Sequence, residues 1–412
     1  MFDVEKVRKD FPILKRKIHG HDLVYLDSGA TSQKPESVLK AMDDYYRNTN
    51  ANIHRGVYEL SVESTRLVDE ARKKIADFIG ARTEEVIFTR NASESLNLVM
   101  YSWGKKNITK GDAVLVTRLE HHSNFVPWQV LCKEKYGSFR VVDVDSEGRL
   151  DMESFERLTA DGKVKLFALT GASNAIGTLP DIKKLVEKVK SNNKDVVVVL
   201  DASQMVPHMK VIVSKLPVDF VAFSGHKMLG PTGTGVLWGK KDILLKMEPF
   251  LYGGDMIGEV GMISTTWGDL PNKFEAGTPD IAGIIGLGAA VDYLEELGMD
   301  NVRQHEKELM KYAMEKMMTL QDEDLVTVYG PRDAEERGGA LAFNVVGVHP
   351  HDAAQILDSF GIAVRSGQHC AAPLVTSFGV PAMVRATFYV YNTREEIDYL
   401  IEKIREVPKV FA

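Results

Sequence analysis

Val218-Asp219-Phe220-Val221-Ala222-Phe223 runs directly into Ser224-Gly225-His226-Lys227-Met228-Leu229-Gly230-Pro231-Thr232-Gly233-Thr234-Gly235. The first six residues predict a short buried strand, because the apolar run does not alternate as a half-exposed strand would. Lys227 then stands just beyond the strand's end, between a Ser-Gly-His triplet and a glycine-rich turn. Taken alone, such a lysine reads as a surface residue in a loop. The other reading is chemical. A lysine hemmed in by small residues at a strand end can form an imine with an aldehyde cofactor. The rest of the chain decides between the two.

Working outward, further apolar runs at 86–88, 113–116, 166–169 and 196–200 read as strands, with helical segments such as 181–190 between them. Continuous apolar strands separated by helices predict an α/β fold with a mostly parallel sheet covered on both faces. Ligands of such sheets bind outside the carboxyl ends of the strands. The polar clusters fall at those ends: Glu120-His121-His122, Ser173-Asn174, Asp201-Ala202-Ser203-Gln204 and Ser224-Gly225-His226-Lys227. The turn Thr89-Arg90-Asn91-Ala92-Ser93 precedes a helical run and offers free N–H groups to a phosphate. It is equally readable as an ordinary capped helix.

At 412 residues the chain is long enough for two domains. A small-residue helix over 281–298, ending at Gly298, marks the boundary. The expected division is an N-terminal segment (1–25) packing with the small domain, a large cofactor-binding domain (26–298) and a smaller α+β C-terminal domain (299–412). The 331–338 loop reads as a flexible insertion, and Thr393 with Glu396 as a capping box opening a final helix. A net charge of −7 leaves no footprint for nucleic acid or an anionic membrane. No signal peptide or membrane-length apolar run is read. Two cysteines, Cys132 and Cys370, speak against a disulfide framework and for a reducing cytoplasm. Cys132 shares a helix face with Trp128 and Leu131, as a small core residue does. His121-His122 lacks partners at ligand spacing, so no metal is indicated.

If Lys227 holds pyridoxal phosphate, the cofactor makes three further demands. Its pyridine nitrogen wants a carboxylate, which Asp201 supplies. Its ring face wants a flat partner, for which His121 is placed. Its phosphate wants N–H and hydroxyl donors, available at Ala92, Ser93, Ser224 and His226. Each residue alone has a plainer reading; an Asp at a strand end is often a helix cap. The whole set in order is harder to assign to chance.

At this point the chain resembles the SufS-type cysteine desulfurases of the class V aminotransferase fold. The likeness includes Asp27-Ser28-Gly29-Ala30-Thr31, Asn52-Ile53-His54-Arg55-Gly56, Glu120-His121-His122-Ser123-Asn124, Phe274-Glu275-Ala276-Gly277-Thr278-Pro279 and Arg365-Ser366-Gly367-Gln368-His369-Cys370-Ala371. The resemblance implies a fold type I homodimer with pyridoxal phosphate on Lys227 and Cys370 as nucleophile. It implies Asp201 on the pyridine nitrogen, Gln204 on the ring oxygen and His121 stacked on the ring. Phosphate contacts would come from Ala92, Ser93, Ser224 and His226, with Thr278 reaching in from the other subunit. Asn174 and Arg385 would hold the substrate carboxylate, with Arg365 close by. Asn91-Ala92-Ser93 departs from the Gly-Thr-Thr of many relatives. L-Cysteine would become alanine, with a persulfide on Cys370 for a sulfur acceptor or an iron–sulfur cluster-assembly protein. His369 and Arg365 are the expected activators of the thiol. His349 and His351 are candidates for acceptor docking, against a plain strand-to-helix connection. Selenocysteine lyase is the near rival, a transaminase a farther one, and a non-catalytic scaffold is disfavoured by intact Lys227, Asp201, His121 and Cys370.

Overall fold

The computed structural model describes residues 2–411. Seven strands form the central sheet: β1 (Val86–Thr89), β2 (Ala113–Thr117), β3 (Ser138–Val142), β4 (Val164–Thr170), β5 (Val197–Asp201), β6 (Phe220–Ser224) and β7 (Gly235–Gly239). Their spatial order is β1-β7-β6-β5-β4-β2-β3. Every pairing is parallel except those of β7, which runs antiparallel to both β1 and β6. The glycine-rich turn after Lys227 accounts for the exception. A short connection can return the chain only antiparallel, whereas a parallel neighbour needs a crossover of roughly a dozen residues or more.

Helices cover both faces, as fully buried strands such as β2, β6 and β7 require. On one face lie α1 (Glu59–Ile79) and, after α2 (Ala92–Val99) on the opposite face, α3 (Ile281–Leu297). The small residues of α3 permit close packing; a Cβ on Gly288 would lie 2.9 Å from that of Ala71.

After Gly298 the chain enters α4 (Met299–Asp322). The smaller sheet is antiparallel, with β8 (Val326–Tyr329), β9 (Ala340–Val345), β10 (Arg365–Gly367) and β11 (Met383–Thr387) in the order β8-β9-β11-β10. It shares an apolar core with α4, α5 (Pro350–Ser359) and α6 (Arg394–Glu406), through residues such as Leu309, Phe343, Leu357 and Leu400. Thr393 and Glu396 form the capping box of α6. Near the N-terminus, Val24 and Tyr25 pair in parallel with Ile362 and Ala363, and Arg8 contacts Glu396 at 2.7 Å.

The 331–338 segment is not the free loop expected of its charges and glycine. Arg337 is buried, donating from Nε to the Ala340 carbonyl at 3.0 Å and from Nη1 to that of Pro331 at 2.7 Å. Its Nη2 donates to the Tyr329 carbonyl. A desolvated guanidinium needs such partners, and making them pins the segment. Among the described residues, no helix is long and apolar enough to cross a membrane.

Candidate active site

A cavity of about 610 Å³ opens at the carboxyl ends of the parallel strands, between the two sheets. Its walls include Lys227, His121, Asp201, Ala92, Ser93, Ser224, His226, Asn174, Arg365, Arg385 and Cys370. Residues that are far apart in the chain therefore share one space because successive strands end there.

Lys227 closes a tight turn, Gly225–Lys227, immediately after β6. Burial drives its pKa below the ordinary lysine value; Asp201 opposes the shift and the Arg385 charge adds to it. Asp201 is the last residue of β5 and is buried, with Oδ1 accepting the Ser203 N–H at 3.0 Å. His121 follows β2 and accepts the Ser123 N–H on Nδ1 at 3.0 Å, which leaves the ring proton on Nε2. Burial, then the Lys227 charge, pushes its pKa down to about 4, so the ring is a neutral flat surface at pH 7. His226 is likewise pushed down to about 4, by burial and then by Lys227 and Lys34.

The phosphate-type donors gather at the start of α2. Asn91 caps the helix by accepting the Glu94 N–H at 3.0 Å, which leaves its first turn facing the cavity. The Ala92 N–H donates to Ser224 Oγ at 2.9 Å, and Ser93 Oγ lies 2.5 Å from Ser123 Oγ. This close approach depends on Gly235, where a Cβ would meet the Asn91 Cα at 2.4 Å.

The opposite wall carries charge. Arg385, fully buried on β11, donates from Nη1 to the Asn174 carbonyl at 2.7 Å and from Nη2 to Asp27 Oδ1 at 3.1 Å. Its Nε is buried without a partner. Arg365 contacts the same Asp27 through Nη2 at 2.8 Å. Asp27 was visible in the sequence only as part of a motif; nothing there showed that it bridges both arginines. Glu120 was similarly undervalued. It is buried, accepts from Thr117 Oγ1 and Asn124 Nδ2 at 2.6 Å each, and is pushed up to about 8 by desolvation.

Cys370 is exposed, just beyond β10. Neighbouring His369, expected to activate the thiol, is not placed to do so as a cation. His369 is buried, donates from Nε2 to the Met383 carbonyl at 3.0 Å and is pushed down to about 3 by burial and Arg385. At neutral pH it carries no charge. Three cations lie within electrostatic reach of Cys370: the half-exposed Arg365 and the buried Lys227 and Arg385.

Two expected residues do not line the cavity. Gln204 lies behind its wall, donating from Nε2 to the Gly29 carbonyl at 2.6 Å. Thr278 faces a separate space of about 690 Å³ with Phe88, Phe250 and Phe274. Cys132 is buried in its helix, Val126–Lys135, and burial raises its thiol to about 11.

This donor set suits pyridoxal phosphate. It supplies a depressed amine, a buried carboxylate, a flat neutral ring, and hydroxyls with a helix start for a dianion. The unpartnered Arg385 Nε adds a buried donor awaiting an acceptor.

Residues 24–400 match the family model for class-V aminotransferases. A probable cysteine desulfurase of Streptomyces coelicolor is 46% identical, over 100% of this chain and 99% of its own length. A cysteine desulfurase of Haloferax volcanii is 45% identical, over 100% of this chain and 98% of its own. Among solved structures, an apo cysteine desulfurase from Thermococcus onnurineus superposes with a TM-score of 0.92 at 41% identity, covering 98% of both chains. The Escherichia coli cysteine desulfurase CsdA gives 0.89 at 32% identity, over 100% of this chain and 99% of that one.

Proposed function

The chain belongs to the class-V aminotransferase family, and from that premise we propose that it is a pyridoxal-phosphate-dependent cysteine desulfurase. The observation that carries the proposal is that Lys227 and Cys370, contributed by different sheets, line one cavity. A transaminase would need only the lysine.

When bound, pyridoxal phosphate supplies an electron sink for negative charge at the substrate Cα. Lys227 is the residue for the cofactor's aldehyde and, once free, the base that moves the Cα proton. Burial lowers its pKa below the ordinary lysine value, the direction that favours a free amine. Asp201 would hold a proton at the pyridine nitrogen and neutral His121 would orient the ring, while Gln204 would reach the ring oxygen only by giving up its bond to the Gly29 carbonyl. Ala92, Ser93, Ser224 and His226 hold the phosphate. Asn174, Arg385 and Arg365 grip the substrate carboxylate, for which a guanidinium fork is the fitting shape. Cys370 Sγ bonds to the substrate sulfur as the substrate's C–S bond breaks. The released carbon fragment takes a proton and leaves as alanine, and the persulfide stays on Cys370.

Persulfide sulfur of this kind would supply iron–sulfur cluster assembly through an acceptor protein. Exposed His351, at the start of α5, is a docking candidate. Unchanged acceptor-stimulated turnover in His351→Ala would remove it. An exposed nucleophilic thiol suits a reducing compartment such as the cytoplasm. A homodimer accounts for Thr278, which in this reading serves the partner's phosphate. The apolar cavity beside it and the fully exposed Met262 and Ile263 are surfaces for a second copy to cover. Sedimentation of the holoenzyme tests this, and a monomer at working concentration would exclude it.

The primary test measures alanine and sulfide formed from L-cysteine. Wild type should form both and Cys370→Ala neither; Lys227→Ala should lose the yellow colour. Equal alanine from wild type and Cys370→Ala would overturn the assignment of the thiol. Selenocysteine lyase activity on the same scaffold is the less favoured reading, since the relatives are named for cysteine.

A further inference from the structure

We propose that His122 is a positioning residue for Cys370, fixing the turn that presents the thiol to the substrate. The proposal rests on Cys370 being the nucleophile. His122 grips the turn twice. Its backbone N–H donates to the Cys370 carbonyl at 2.7 Å, and its ring Nε2 accepts the Ala372 N–H at 3.0 Å. One residue thus holds the Cys370 carbonyl and the amide two residues beyond it.

The turn needs such a hold. His369 and Cys370 both adopt left-handed backbone angles, φ 51° and 54°. Neither is glycine, so each is disfavoured there unless its surroundings impose it. The Asn174 side chain donates to the His369 carbonyl at 2.6 Å on the other flank. Farther along, Arg118 donates to the Pro373 carbonyl at 3.3 Å while paired with Asp143. Of these three, His122 alone makes two bonds to the turn, and one of them is to the thiol-bearing residue itself. An accepting Nε2 leaves the ring proton on Nδ1, so the ring that makes this bond is neutral. Burial, which lowers the pKa of His122, favours that form. His121, whose ring centroid is 6.3 Å away, faces the cofactor cavity instead. The two adjacent histidines thus divide the work: one serves the ring, the other the sulfur carrier.

The test compares His122→Phe, which lacks the acceptor, with His122→Gln, whose amide oxygen can restore it. Two readouts are taken on holoenzyme: sulfide and alanine formation from cysteine, and the rate at which iodoacetamide alkylates Cys370, followed by mass spectrometry with buried Cys132 as the slow internal reference. Losing one hydrogen bond to the turn is expected to cut turnover in His122→Phe about tenfold. Alkylation of Cys370 should be at least as fast as in wild type, because the thiol stays accessible while losing its place. His122→Gln should recover most of the turnover. The proposal is overturned if His122→Phe stays within about twofold of wild type, or if His122→Gln is as impaired as His122→Phe. Should the phenylalanine variant not fold, His122→Ala stands in under the same criteria. Failure of the underlying reading looks different, since Cys370→Ala itself would then still release sulfide.

Discussion

Asp27→Asn removes one negative charge from between two arginines with little change of shape. Arg365 is half exposed, so its pair with Asp27 is worth at most about 1 kcal/mol. Arg385 is 2% exposed, and its Nη2 lies 3.1 Å from Asp27 Oδ1. At that distance an effective dielectric of ~20 gives a gross attraction of about 5 kcal/mol. Stranding a buried charge costs about 3–5 kcal/mol net, and the asparagine oxygen still accepts a hydrogen bond, so the lower end applies. The ligand-free variant should therefore be less stable by about 3 kcal/mol, read from urea unfolding followed by far-UV circular dichroism. The same substitution raises the charge of the carboxylate subsite by one. Alanine, the non-sulfur product, should bind the holoenzyme more tightly. About tenfold follows if the uncovered attraction is ~1.4 kcal/mol. An unchanged unfolding midpoint together with unchanged alanine affinity would refute the reasoning, because the arginines would then not feel Asp27.

Gly235→Ala would press a Cβ to 2.4 Å from the Asn91 backbone, where neither strand nor helix start can yield. Destabilisation of about 3 kcal/mol and poor cofactor retention on gel filtration are expected, and a wild-type melting curve would contradict this. Glu120, raised to about 8 from a reference value of 4.5, contributes stability present below pH 4.5 and lost as the pH rises through 8. Glu120→Gln should flatten that decline, as scanning calorimetry across pH 5–9 would reveal. His121, His226 and His369, depressed to about 4, 4 and 3 from 6.5, act in the opposite sense. Unfolding takes up protons at all three as the pH falls below 6.5, so ligand-free protein should lose stability toward pH 4, and His369→Phe should blunt the loss. Cys132→Ala should leave desulfuration unchanged; a strong loss of turnover would make that thiol part of the chemistry.

The parallel strands and the cluster at their carboxyl ends were legible because buried strands advertise themselves as unbroken apolar runs. The run 220–223 and the small residues after it placed Lys227 correctly at a strand end. The direction of β7 was not legible, since periodicity carries no information about strand polarity. Arg337 was misread for a related reason. A charged residue among other charges signals solvent, and only the three carbonyls that surround it reverse that signal. His369 is not placed as a cationic activator, because sequence adjacency to Cys370 says nothing about which way a ring points. Asp27 and His122 were within quoted motifs, but their roles are long-range contacts, to Arg385 and to Ala372.

Lys227 follows the large sheet and Cys370 the smaller one, and beside the two main cores a further apolar cluster, with Leu119, Ile176, Ala342 and Met383, joins them. That cluster includes Ala371 and Leu374, so it also fixes the segment that carries the thiol. Loosening of this cluster on warming should stop sulfur release while the cofactor's colour persists, because Lys227 lies outside it.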